Sequence, residues 1–412
     1  LIFWALLGFV VAVDAMAAPV VYVPQWRATP GPWGFVIPLD LSFRGLVALD
    51  AQSLTELRRW TDIPPVRHAL VSADERYLFL WNDDASINAQ VFYVYDRASM
   101  QRVRTWSDFR PPTPGFYPSF DGYNAVAHPT RANVVIFRGV WWFDTDSGQW
   151  IETPQTINLP TGVASANLHA PRLSSTGRWL TVFHQGAQPG AYRTVVFDLD
   201  NPRNPRAFDS IGIGVVGLDG DTLVHRRRGD PLGLFTLIAL ESGVQRAQVQ
   251  APSSTYDLVA AADGTVYFPS VTTFPSGAYL NRIDRLRVGQ TVLERYTEQP
   301  GLPAELRFIP LQVRGTTVLA SGHNDEGCSL TLSCTPGQHE LLAFSADGVL
   351  LGRSSTVQDA VSTTWYSTAA NGVALQGLPE PVSVGTLNTP TWRLMLALGV
   401  LALALRCRVR AS

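Results

Sequence analysis

The sequence predicts an all-β fold assembled from repeated blades of antiparallel strands, and three observations carry that prediction. The first is a repeat. Residues 46–60, Leu-Val-Ala-Leu-Asp-Ala-Gln-Ser-Leu-Thr-Glu-Leu-Arg-Arg-Trp, return 46 positions later at residues 91–106, where Asp96, Ser99 and Trp106 stand at the offsets of Asp50, Ser53 and Trp60. A looser copy at residues 142–150 carries Asp144, Ser147 and Trp150. The second is turn chemistry: each copy reads as strand, polar turn, strand, with Asp and Ser side chains placed to hydrogen-bond the turn backbone. The third is composition. Val, Thr, Tyr, Phe and Trp alternate with Gly, Pro and Asp, and helix-favouring runs are scarce. Self-similarity at this period is the mark of stacked β-blades.

Taken in chain order, the first element is a leader. Residues 1–13 are apolar and precede Ala15-Met16-Ala17, so Ala15 and Ala17 form a small-x-small signal-peptidase site. The expected organisation is a signal peptide over 1–17, a propeller over 18–377, a linker over 378–389, and a membrane segment with a basic tail over 390–412.

Two kinds of hairpin alternate through residues 18–377. Short A-to-B turns are expected around 73–75, 129–130, 175–177, 219–221, 263–264, 314–315 and 371–372. C-to-D turns are expected at Asp50, Asp96 and Asp144, then near Asp198, 241–243, 288–289 and 346–348. Seven of each predict a seven-bladed β-propeller, with counts of six or eight left open. The chain starts on a C–D hairpin and ends on an A–B hairpin, so both chain ends are expected to complete one blade. That closure removes free sheet edges. Residues 20–25 alternate like a strand, with either an extra or a competing place in the closing blade.

The last element is apolar. Residues 387–405 carry a single charge, Arg393, and the uninterrupted apolar run 394–405 has 12 residues. Arg406, Arg408 and Arg410 follow it, which fits a cytoplasmic stop after a C-terminal transmembrane helix.

Two resemblances rest on these motifs. Val384-Gly385-Thr386-Leu387, with Trp392, the apolar run and the basic tail, resembles the IPTL-CTERM class of bacterial sorting signals, with Gly385 replacing its Pro. Pro379-Glu380-Pro381 is similar to the PEP-CTERM signature. The resemblance covers about the last thirty residues. It implies export machinery and an exosortase-type sorting protease as partners, and location in a Gram-negative envelope: periplasmic, membrane-anchored or at the cell surface. The Asp-x-x-Ser hairpin resembles the YVTN-type propeller repeat, and residues 144–150 are similar to the quinoprotein Asp-x-x-Thr-Gly…Trp motif. Some YVTN-type and related propellers carry lactonase-like activity.

Bulk composition excludes several classes. Net charge is −2, so no broad basic face for nucleic acid is expected. All 32 basic residues are arginine, which removes Schiff-base and P-loop lysines. No Gly-x-Ser-x-Gly elbow, His-Glu-x-x-His or phosphate-binding Gly loop is present, and no cofactor is expected.

Candidate sites fall on the long B–C and D–A loops, which share one face of a propeller. Phe109, Phe116, Tyr117 and Phe120 lie on a Pro-rich loop where aromatic faces either stack on a glycan or peptide ligand or pack as a loop core. Asp83, Asp84, Arg227, Asp230 and Asp325 are further ligand candidates, for an envelope protein or a glycan. A hydrolase on this face would draw on Asp83, His184, His225 and His323. Cys328 and Cys334 are expected as a disulfide in an exported domain. The rival reading is zinc held by His323, Cys328, Cys334 and His339. Arg226–Arg228 reads as a solvated loop, and Asp219-Gly220-Asp221 as a turn lacking the other ligands of a calcium loop.

Overall fold

The computed structural model describes residues 19–29, 40–66, 68–82, 91–107, 109, 125–186, 192–212, 214–229, 234–250, 258–273, 279–297, 306–324, 339–354 and 374–377. Their strands belong to one compact unit, Ala18–Gly377. They form seven antiparallel sheets of four strands each.

Six blades are continuous in sequence. Blade 2 is β4 (His68–Val71), β5 (Tyr77–Asn82), β6 (Val91–Asp96) and β7 (Gln101–Trp106). Blade 3 is β8 (Ala125–Ala127), β9 (Val134–Phe137), β10 (Trp141–Asp144) and β11 (Gln149–Glu152). Blade 4 is β12 (Leu168–Leu173), β13 (Trp179–Gln185), β14 (Tyr192–Asp198) and β15 (Asn201–Asp209). Blade 5 is β16 (Val215–Gly217), β17 (Thr222–His225), β18 (Leu234–Ala239) and β19 (Gln245–Gln250). Blade 6 is β20 (Val259–Ala260), β21 (Val266–Thr273), β22 (Tyr279–Leu286) and β23 (Glu294–Thr297). Blade 7 is β24 (Leu306–Arg314), β25 (Thr317–Asn324), β26 (His339–Phe344) and β27 (Leu350–Ser354).

Blade 1 closes the ring. Its order is β28 (Ala374–Gly377), β1 (Pro19–Thr29), β2 (Asp40–Asp50) and β3 (Glu56–Trp60). Both chain ends complete this blade, as expected. Among the described residues the C-terminal end supplies the innermost strand, and the N-terminal β1 takes the competing place beside it, paired from Pro19↔Gly377 to Tyr22↔Ala374. Residues 366–373 of the expected hairpin lie outside the described residues. The alternation of β1 explains why it wins that position. Val20 and Tyr22 pack toward blade 2 with Ala69, Leu78 and Leu80, while Val21 and Val23 pack toward blade 7 with Leu319 and Leu341. A strand buried on both faces belongs inside a sheet rather than at its edge. The innermost strands then neighbour one another in the ring order β28, β4, β8, β12, β16, β20, β24 and back to β28.

Apolar clusters fill every blade interface. The largest joins blades 2, 3 and 4 through Trp81, Phe92, Phe137, Phe143, Leu180 and Phe197. Burying each such ring contributes about 2–3 kcal/mol.

The repeated turns fasten one blade to the next. Asp50 Oδ1 accepts the N–H of Ser53 at 2.7 Å and its hydroxyl at 2.9 Å. Asp96 accepts the equivalent pair from Ser99 at 2.9 and 2.8 Å. These bonds from Ser99 hold the Asp96 carboxyl below its ordinary pKa. The position four residues after the Asp is left-handed in three copies: Leu54, Met100 and Gly148, with φ of 54°, 53° and 71°. Blade 5 keeps this backbone without the Asp, with Gly243 N donating to Ala239 O at 2.8 Å. The closing Trp has a partner in the next blade, for Trp106 Nε1 donates to Thr145 O at 3.1 Å. Across the ring seam, Gly352 of blade 7 packs directly on the backbone of Gln52 and Ser53 in blade 1.

No helix among the described residues is long and apolar enough to cross a membrane. Residues 1–17 and 378–412, with the leader and sorting-tail expectations, lie outside the described residues.

Candidate functional site

Tight A–B and C–D turns share one face of the ring, and the B–C and D–A connections share the other. The described part of the long-connection face is concentrated on blades 3, 4 and 5. Two connections there are described almost throughout: residues 153–167, leading from blade 3 to blade 4, and residues 210–214, leading from blade 4 to blade 5.

A row of side chains crosses blade 4 near this face. Leu168, His184, Arg193 and Asp209 are successive cross-strand partners. Residues opposite one another in an antiparallel sheet point to the same side. All three polar members of the row have structural work. The Ala164 N–H donates to His184 Nε2 at 3.1 Å, which makes that nitrogen the acceptor of a neutral ring. Burial, then the nearby Arg193 charge, lowers the His184 pKa. Arg193 donates to Thr161 O at 2.7 Å and to Asp209 Oδ1 at 3.2 Å. The row therefore fastens the 153–167 connection to blade 4.

The other side of blade 4 carries Phe183, Thr194 and Phe208, again as cross-strand partners. Thr194 Oγ1 donates to Ser210 Oγ at 3.0 Å and accepts the Gly214 N–H at 3.1 Å. His225 packs edge-on to Phe208 with ring centroids 5.9 Å apart. His184 and His225 thus meet opposite sides of one blade, and both are buried, at 2% and 1% exposure. The other two members of the expected hydrolase set, Asp83 and the His323 side chain, lie outside the described residues.

Nearer the centre, blade 3 makes a tight B–C turn in which Arg138 has φ of 51°. Arg138 reaches across to blade 4 and donates to Ala166 O at 2.7 Å. His169 lies on the innermost strand of blade 4, where burial, followed by the Arg138 and His184 charges, pushes its pKa down to about 4. These contacts, and the 153–167 connection itself, escaped the sequence reading. Their only local sign is an arginine before Gly139, with nothing to mark its distant acceptor.

Phe109 is a core ring, 1% exposed. It packs on Phe92 at 5.0 Å, Phe143 at 4.9 Å and Trp150 at 5.3 Å, which leaves no face for a ligand. Phe116, Tyr117 and Phe120 lie outside the described residues, as do Asp83, Asp84, Asp230, Asp325, Cys328 and Cys334. His323 and His339 are register partners across β25 and β26, described at the backbone level. Among the described residues no three His, Cys, Asp or Glu side chains gather as a metal-ligand group. Asp219 accepts from Asp221 N at 3.1 Å and Thr222 Oγ1 at 2.7 Å, as a turn residue does.

Residues 226–228 depart from the solvated loop expected of them. Arg227 and Arg228 are exposed, whereas Arg226 is 4% exposed. Its carbonyl accepts the Ile211 N–H at 2.8 Å, and Arg227 bridges to Ser210.

No protein-family model matches the chain, and no curated protein matches it. Among solved structures, the chain is similar to TolB from Acinetobacter baumannii, at 14% identity over 88% of this chain and 67% of that one, with a TM-score of 0.38. It is also similar to a quinonprotein alcohol dehydrogenase-like protein from Bacteroides thetaiotaomicron, at 11% identity over 82% and 75% of the two chains, with a TM-score of 0.46. These likenesses carry no information about activity, and the fold assignment rests on the strand order and the ring of blade contacts.

Proposed function

We propose that the chain is an exported, envelope-anchored propeller that presents its long-connection face to a glycan or protein ligand and acts as a binding scaffold. The observation that carries this reading is the asymmetry of the two faces. Tight turns on one face are committed to blade-to-blade contacts such as Trp106 with Thr145. The connections that exceed what closure needs leave from the opposite face, among them residues 107–124 and 325–338. Export and anchoring rest on the leader at 1–17, the Val384–Leu387 motif, and the apolar run with its basic tail. They imply delivery by export machinery and processing by an exosortase-type protease. Nucleic acid has no part in this reading, given the balanced charge.

The test is a thermal-shift screen of the purified full-length chain against envelope glycans, repeated with Tyr117→Ala. A glycan that raises the melting temperature of the parent chain but not of Tyr117→Ala, with the ligand-free values equal, supports the long-connection face. A rise that survives Tyr117→Ala yet disappears on changing a tight-turn residue such as Arg178 would place binding on the wrong face. Fractionation tests the address separately: the full chain is expected with membranes, and a chain ending at residue 377 in the soluble periplasm. Retention of the full chain in the cytoplasm would end the export reading.

A further inference from the structure

Three described arginines are about 95% buried, and they differ in what they touch. Arg97, 5% exposed, donates from Nε to Glu75 O at 2.5 Å and pairs with the Glu75 carboxylate at 3.4 Å. Arg138, also 5% exposed, donates to Ala166 O at 2.7 Å. Arg226 is 4% exposed, its Nε is shut off from solvent without an acceptor, and its guanidinium has no hydrogen-bond or ion-pair partner among the described residues. Asp209, whose carbonyl accepts the Arg228 N–H, has its carboxylate held by Arg193 at 3.2 Å. Asp230 lies outside the described residues.

A guanidinium nitrogen removed from water without an acceptor, as Arg226 Nε is, is unfavourable, and buried charges in folded proteins are paired or hydrogen-bonded. Arg226 is also held in place. Its backbone is tied to Ile211, and the following residues pair with Ser210 and Asp209. The 210–214 connection is in turn fixed by Thr194. The backbone that carries the side chain is therefore fixed on both sides. Two more arginines, Arg227 and Arg228, stand exposed beside it, so the local field attracts anions.

From this we infer that Arg226, with Arg227 and Arg228 at its rim, forms an oxyanion-binding subsite on the long-connection face. It would receive a phosphate or carboxylate group of the ligand in the planar fork of Arg226. This assigns a ligand chemistry to the proposed binding face and rests on that reading.

The experiment is calorimetric titration of the full-length chain with inorganic phosphate and, in a second arm, with acetate, at constant ionic strength. Saturable binding of either anion is expected, and the stronger arm identifies which oxyanion fits. Arg226→Met should weaken binding at least about tenfold, the loss of a charge-assisted bidentate contact, while its anion-free melting temperature stays at or above the parent value. Arg226→Gln serves if the Met variant does not fold, with the same expected loss. Arg227→Gln should retain binding with a smaller loss. No saturable binding of either anion, or unchanged affinity in the foldable Arg226 variant, overturns the subsite. Because the titration reads Arg226 alone, a chain that fails it and still shows the Tyr117-dependent glycan shift loses the subsite and keeps the binding face.

Discussion

Gly148 and Gly243 occupy the same position of the C–D turn in blades 3 and 5, with φ of 71° and 70°. An added Cβ at Gly243 meets nothing within 4 Å, whereas at Gly148 it lies 2.5 Å from the Trp106 ring. The pair therefore separates backbone strain from the contact between blades. Gly243→Ala should cost about 1–2 kcal/mol, the left-handed penalty alone. Gly148→Ala should cost a further 1–3 kcal/mol or so for overpacking against the indole. Denaturant unfolding of both variants checks this, and equal losses would mean that the Trp106 contact tolerates displacement. The same residue scale shows what a sequence hides. Asp50, Asp96 and Asp144 announce their turns because a carboxylate followed by Ser is a local device. Arg226 sits in a run of three arginines that reads as solvated. In the fold it is 4% exposed, its backbone tied to residue 211 of the connection from blade 4.

At the scale of the strand, the inner strands of blades 3 and 4 carry histidines that are neutral in the folded chain. His128, one residue beyond β8, accepts the Thr130 and Arg131 N–H groups on Nδ1 at 3.3 and 3.2 Å. Burial, then the Arg131 charge, pushes its pKa down to about 4, as burial does for His169. An unfolded histidine titrates near 6.5, so between about pH 6.5 and pH 4 the unfolded chain binds more protons than the folded one. Stability should be complete above about pH 6.5 and fall as the pH drops toward 4. Thermal unfolding from pH 7 to pH 4.5 measures the slope. His128→Gln and His169→Gln should each flatten it, and a slope unchanged in both variants would show that other groups control the acid limb. The strand scale also decided which hairpins were legible. Blade 5 makes its turn with Ala239 where blades 1 to 3 have Asp, yet Glu241-Ser242-Gly243 still marked it, because the left-handed residue is a glycine.

The whole ring depends on one non-local pairing that no local pattern specifies. The alternation of residues 20–25 identifies a strand but not its neighbour, and the choice between an extra and a central place rests on two blade faces built from distant sequence. In the folded chain β1 lies between β28 and β2, so removing β28 strips one ladder from a strand whose side chains remain buried on both faces. Four residue pairs join β28 to β1. At about 0.5–1.5 kcal/mol net for each hydrogen bond, losing them should cost roughly 2–6 kcal/mol. A chain ending at residue 373 should therefore remain folded in blades 3 and 4, where the largest core cluster lies, and loosen at the seam. Amide hydrogen exchange reads this directly. Val20–Val23 should lose protection in the truncated chain, whereas Val135 and Leu180 keep theirs. A double substitution gives a second reading: neighbouring N–H groups point to opposite sides of a strand, so Leu375→Pro with Gln376→Pro removes a ladder donor while leaving chain length unchanged. Protection at Val20–Val23 equal to that of the parent in both chains would mean that β1 is held by β2 and the flanking blade faces alone, and that the ring closes without a fourth strand.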